Sequence, residues 1–135
     1  MRRFKSPAGA PLPVPPAVVL DANALRMPFQ FRVNLDAELL RLLGECDVVV
    51  PEAVIGELRR QAADDREAQA ALRLAAKYRT VPGPGRGDES VVLLAQKLGA
   101  VVVTNDAGLL FQLRRLGIPR ISLRARNHLV LEGLE

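Results

Sequence analysis

Four carboxylates stand out by their position. Asp21 ends the apolar run Val18-Val19-Leu20, and Asp106 follows Val101-Val102-Val103 after the polar pair Thr104-Asn105. Asp88 opens one helical pattern, and Glu57 lies well inside another. Successive acids are 36, 31 and 18 residues apart, so spacing alone does not unite them. A fold that gathers strand ends and helix starts at one edge would. Carboxylates crowded into a poorly solvated cleft repel strongly unless they are protonated or neutralised. A divalent cation neutralises them, and oxygen donors without imidazole or thiolate favour Mg2+ or Mn2+ over zinc. Such a site activates water for attack on a phosphodiester and stabilises the leaving oxygen.

Each acid also has a plainer use. Asp88 after Gly87 can cap a helix, with Glu89 favoured by the positive end of the helix dipole. Asp21 and Asn23 can each open an Asx-turn. Asp106 can cap the helix that begins near Gly108, and Glu57 can pair with Arg60 on a helix surface. The balance shifts because Asp21 directly follows one continuous apolar run and Asp106 follows another after the polar pair Thr104-Asn105. Other chemistries lack their residues. With Cys46 and His128 the only residues of their types, disulfides, thiolate cages and multi-imidazole sites are excluded. Gly83, Gly85 and Gly87 space a proline-rich loop with no following Lys-Ser/Thr to cradle a phosphate.

The elements that must position these acids read as α/β. Val18–Leu20, Asp47–Val50 after its opening acid, and Ala100–Val103 are continuously apolar, as parallel strands covered on both faces require. Ile118–Leu123 is a fourth run and Arg79–Val81 a short edge strand. Leu35, Leu39, Leu42 and Leu43 form one helical stripe, with Asn34 to cap it and Gly44 to end it. Helices are also expected from Val54, over 68–78, from Asp88 to Gly99, and over Leu109–Leu116. Residues 1–16 hold five of the ten prolines and read as an extended basic arm. Residues 17–126 read as a single folded domain and 127–135 as a C-terminal tail. No apolar run reaches the length of a membrane-spanning helix, and the opening residues lack the apolar stretch of a secretory signal. A cytoplasmic protein that makes no membrane contact is expected.

The net charge is +4, with 16 Arg against 3 Lys. Arginine suits phosphate, although a biased composition gives the same count. Its distribution says more: residues 107–131 contain no acid and five arginines, at 114, 115, 120, 124 and 126. Aromatic residues are only 4%, which disfavours recognition by stacking many bases.

Taken together, VVLDANAL at 18–25, VVVPEAVIGELRR at 48–60, GDESVVLLAQKLGAVVVTND at 87–106 and GLLFQLRRLGIPRISLR after it resemble the PIN-domain family. The branch is the small single-domain archaeal one, similar to VapC-type toxins and to PIN nucleases of ribosomal RNA processing. The resemblance implies an α/β/α sandwich on a parallel sheet and a ribonuclease dependent on Mg2+ or Mn2+ that leaves a 5′-phosphate and a 3′-hydroxyl. It assigns Asp21, Asp88 and Asp106 to metal binding, with Glu57 a further ligand or water-orienting group. Asn23, Thr104 and Asn105 fall at supporting positions. Arg86, Arg114, Arg115, Arg120, Arg124 and Arg126 become candidates for RNA phosphate contact. One departure is Gly108, where many members carry a further acid; Glu89 is the nearest substitute.

The implied partners are RNA, an antitoxin protein or a pre-ribosomal particle, and a second copy in a homodimer. The apolar faces of 35–43 and 54–58 would supply the dimer interface unless they belong to the core. A non-cleaving RNA- or protein-binding module on the same fold is the competing reading, sustained by Gly108 and the arginine-rich end. A DNA-directed nuclease of the same metal chemistry is a third.

Overall fold

The computed structural model of the chain describes residues 14–134. The expected arm lies almost wholly outside them. The elements run β1 (Ala17–Leu20), α1 (Ala22–Phe31), α2 (Leu35–Leu43), β2 (Asp47–Pro51), α3 (Glu52–Gln61), α4 (Arg66–Ala75), β3 (Arg79–Val81), α5 (Gly87–Leu98), β4 (Val101–Val103), α6 (Ala107–Arg115), β5 (Arg120–Arg124) and β6 (His128–Glu132). They build one six-stranded sheet in the order β3-β2-β1-β4-β5-β6. The first five strands are parallel to their neighbours, and β6 returns antiparallel to β5. The α/β reading therefore holds.

β1 and β4 are buried along their whole length, which is why their sequences are unbroken apolar runs. Leu35, Leu39 and Leu43 of α2 and Val54 and Leu58 of α3 are also in the core. The two stripes offered for a dimer interface thus face inward; of the α2 leucines, Leu40 alone is largely exposed, at 65%. Asn34 caps α2 through Ala37 N–H, and Gly44 ends it, as expected. Among the described residues no helix is long and apolar enough to cross a membrane.

Two elements escaped the sequence reading. Helix α1 carries Pro28 inside it, a residue that normally marks a helix end. It forms because Ala24, Leu25 and Met27 are buried, and burial outweighs the lost backbone hydrogen bond. The segment expected as a tail contains β6, whose Leu129 is fully buried. Strand β5 supplies the pairing partner that a local reading cannot see.

Candidate active site

Strand order reverses its direction of travel at β1. β2 and β3 lie on one side of it, and β4 and β5 on the other. Loops leaving the carboxyl ends of β1 and β4 therefore diverge and open a crevice, the usual ligand site of a doubly wound sheet. Asp21 follows β1 and Asp106 lies just beyond β4. α3 starts at the same edge, directly after β2, and α5 starts there after the 82–86 loop. Asp21, Glu57, Asp88 and Asp106 line one cavity of about 130 Å3, together with Asn23, Val54, Gly87 and Val91. The four acids picked from sequence thus converge. A larger cavity of about 510 Å3 lies at the opposite edge, around Leu40, Cys46 and Tyr78. Both of its cations are already paired, Lys77 with Asp36 at 2.6 Å and Arg79 with Asp47 at 2.7 Å, so size does not mark the reactive site.

Asp21 is 5% exposed. It caps α1 by accepting Ala24 N–H at 2.7 Å through Oδ1, while Oδ2 accepts the hydroxyl of Thr104. Burial, reinforced by the charges of Asp88 and Asp106, pushes its pKa up to about 7 against those two hydrogen bonds. Burial and then the Asp106 charge also raise the pKa of Asp88. Asp106 caps α6 through Leu109 N–H at 2.7 Å. Capping and cavity-lining are therefore not alternatives for Asp21 and Asp106: each does both. Asp88 does not cap α5, because Arg86 holds that position without a side-chain bond. Gly87 adopts φ 53°, turning the loop so that the next residue meets the cavity.

The supporting residues tie the two loops together. Thr104, fully buried, receives Asp106 N–H at 3.1 Å while donating to Asp21. Asn23 Oδ1 accepts Asn105 N–H at 2.8 Å. Gly108 leaves room beside its neighbour: a Cβ there would meet Asp106 Oδ1 at 3.3 Å. Glu89 does not replace the missing acid. It is exposed, packs beside Gly85 and is not among the cavity residues.

The donor set suits a hard divalent cation, since it is all oxygen and the charges of Asp88 and Asp106 help raise the pKa of Asp21. Among the described residues no three acidic, imidazole or thiolate groups already stand close enough to hold one ion.

The arginines divide by edge. Arg86 precedes α5, Arg124 ends β5 and Arg126 occupies the β5–β6 turn, all three exposed at the carboxyl edge. Arg126 sits 5.5 Å from the centre of the Phe31 ring. Arg114 and Arg115 occupy the last turn of α6, which leads away from Asp106 to the opposite edge. Arg120 begins β5, is 9% exposed, and bonds Ile118 C=O at 3.2 Å. Of the six arginines that are candidates for phosphate contact, Arg86, Arg124 and Arg126 thus share the edge of the acids, whereas Arg114, Arg115 and Arg120 lie away from it, because sequence proximity to α6 and β5 ignores which end of each element faces the crevice. The reading also passed over Gln61, which stands beside Glu57, and Arg26, which bonds Gln61. The i,i+4 spacing of Gln61 from Glu57 was visible, whereas Arg26 sits on the unforeseen α1.

A family profile described as a PIN-like domain matches residues 18–126. No curated protein matches the chain by sequence. Among solved structures, the PIN domain endonuclease Utp24 superposes with a TM-score of 0.75 at 24% identity, covering 88% of this chain and 92% of that one. A domain of a functionally unknown protein from Methanocaldococcus jannaschii DSM 2661 gives a TM-score of 0.63 at 18% identity, covering 82% and 92%.

Proposed function

From the premise that the chain belongs to the PIN-like domain family, we propose that it is a divalent-metal-dependent endoribonuclease that hydrolyses RNA phosphodiesters at the carboxyl-edge cavity. The observation that carries this reading is the convergence of Asp21, Glu57, Asp88 and Asp106 on one cavity at the strand-order reversal. The endonuclease named among the similar structures supports it.

Asp21, Asp88 and Asp106 would hold Mg2+ or Mn2+, with Glu57 as a further ligand or water-orienting group. When bound, the ion supplies charge neutralisation, Lewis acidity and an acidified water for in-line attack. The chain supplies the rest. Ala24 N–H and Thr104 hold the Asp21 carboxylate fixed, and Thr104 ties it to the Asp106 loop. The Asn23–Asn105 bond keeps the two loops in register. Arg86, Arg124 and Arg126 offer phosphate contacts along the rim, where a charge-assisted bond fixes the strand without reading its sequence. Hydrolysis leaves a 5′-phosphate and a 3′-hydroxyl.

The deciding experiment incubates the full chain with matched RNA and DNA oligonucleotides, with Mg2+, Mn2+ or EDTA. RNA cleavage that requires the metal and vanishes in Asp21→Asn supports the reading. Cleavage of the DNA instead replaces the substrate class. RNA binding that persists in EDTA without cleavage under either metal means a non-cleaving module, the alternative kept open by Gly108. Toxin and RNA-processing roles separate by growth arrest on expression, relieved by Asp21→Asn, against a single cut in a ribosomal RNA precursor. An antitoxin, a pre-ribosomal particle and a homodimer belong to the same proposal as partners.

A further inference from the structure

We infer that Gln61 is a positioning residue for Glu57, held in that role by Arg26; the inference rests on the metal-nuclease reading of the cavity. The guanidinium of Arg26, on α1, reaches across to the α3–α4 region. Its Nη1 donates to Glu67 Oε1 at 2.8 Å, and its Nη2 donates to Asp65 Oδ2 at 3.0 Å and Gln61 Oε1 at 2.5 Å. Only 17% of the Arg26 side chain is exposed. Asp65 is fixed in turn, because it caps α4 through Glu67 N–H at 2.9 Å and Ala68 N–H at 3.2 Å. A rigid chain of contacts therefore runs from a helix cap to Gln61.

The chemistry of the arginine removes the ambiguity of the amide. A guanidinium only donates, so the end of Gln61 turned toward Arg26 must be its carbonyl. The NH2 end is then directed at Glu57, where Nε2 lies 3.4 Å from Oε1. That distance is long for a resting hydrogen bond, and such bonds commonly tighten when a site is loaded. Gln61 is the one side-chain donor to Glu57 among the described residues. It engages one carboxylate oxygen and leaves the other for the cavity that Glu57 lines. Outer partners of this kind set the orientation of a metal-binding carboxylate.

The test is a double-mutant cycle on the full chain with Gln61→Met, Glu57→Gln and both together. Mn2+ binding is read by calorimetry, alongside RNA cleavage and thermal unfolding. Methionine keeps the volume of glutamine and removes both hydrogen bonds; Gln61→Ala repeats the test without reliance on that fit. Gln61→Met is expected to weaken Mn2+ binding about tenfold, with cleavage falling in step, and to add nothing in the Glu57→Gln background. An unchanged Mn2+ affinity overturns the inference. So does the same loss with and without Glu57, which would make Gln61 merely structural. A wild-type chain that binds Mn2+ but cuts no RNA overturns the nuclease reading, while the Mn2+ cycle still decides the role of Gln61. A wild-type chain that takes up no Mn2+ overturns both.

Discussion

The hydroxyl of Thr104 donates to Asp21 Oδ2 and accepts the amide N–H of Asp106, so one buried side chain sets the spacing of two cavity carboxylates from distant parts of the chain. Thr104→Val keeps the shape and removes both bonds. It leaves a buried carboxylate and an amide short of a partner, at a cost of about 1–3 kcal/mol in stability. Cleavage should fall about 10- to 100-fold through misplaced ligands. Thr104→Ser should retain most of both, since it keeps the hydroxyl. Urea unfolding and cleavage rates for the two variants check this; a valine variant as active as wild type would remove the positioning role.

The raised pKa of Asp21 makes a pH prediction for the metal-free protein. The unfolded carboxyl titrates near its ordinary value of 3.8, the folded one at about 7. Between those values the folded state binds more protons than the unfolded state, so stability is full below the lower value and is lost as pH rises through the upper. The loss is about 4 kcal/mol at most. Asp21→Asn should abolish this slope. In EDTA at pH 8 the variant should melt higher than wild type, while its cleavage with metal falls about a thousandfold or more. Opposite signs for stability and activity mark a strained functional group, and a variant less stable than wild type at pH 8 would contradict the shift.

How legible was this in the sequence? β1 and β4 announced themselves because two-sided burial leaves no polar positions, and β2 through its valines after Asp47; Asp21 and Asp106 were found because they follow such runs. Helix α1 was hidden by Pro28, whose cost is offset by tertiary burial that no local pattern displays. Strand β6 was hidden because the ladder that makes it a strand is formed with β5, a pairing that no local window displays. The convergence of the acids was inferred from fold logic, not from spacing, since it depends on a strand order that is absent from any local window. Arg120 shows the limit most plainly: an arginine in a basic stretch reads as exposed, yet its guanidinium turns back onto Ile118.

The arginines at the two edges should behave differently. Alanine at Arg86, Arg124 or Arg126 should weaken RNA binding and flatten its salt dependence by about one unit of slope per residue lost. Alanine at both Arg114 and Arg115 should leave salt slope and KM near wild type, because α6 carries them away from the cavity. Binding titrations at several salt concentrations decide the matter. Equal effects at the two edges would mean that the RNA path does not follow the carboxyl edge.

The outer strand offers a prediction independent of the cavity. β6 ends the sheet, and a bare edge strand is a template for pairing with another chain. Here α2 occupies part of that edge. Glu38 Oε1 accepts Leu129 N–H at 2.8 Å, Arg41 Nη2 donates to Leu129 C=O at 2.7 Å, and the two side chains pair at 2.9 Å. Glu38→Ala alone strands the amide and should cost about 1–2 kcal/mol. Glu38→Ala with Arg41→Ala frees both backbone groups of Leu129 for a second chain. The double variant should self-associate with rising concentration beyond wild type in sedimentation velocity, while the cleavage rate per correctly folded chain stays unchanged, since neither residue lines the cavity. Sedimentation identical to wild type would mean that the pair contributes to stability alone and does not guard the edge.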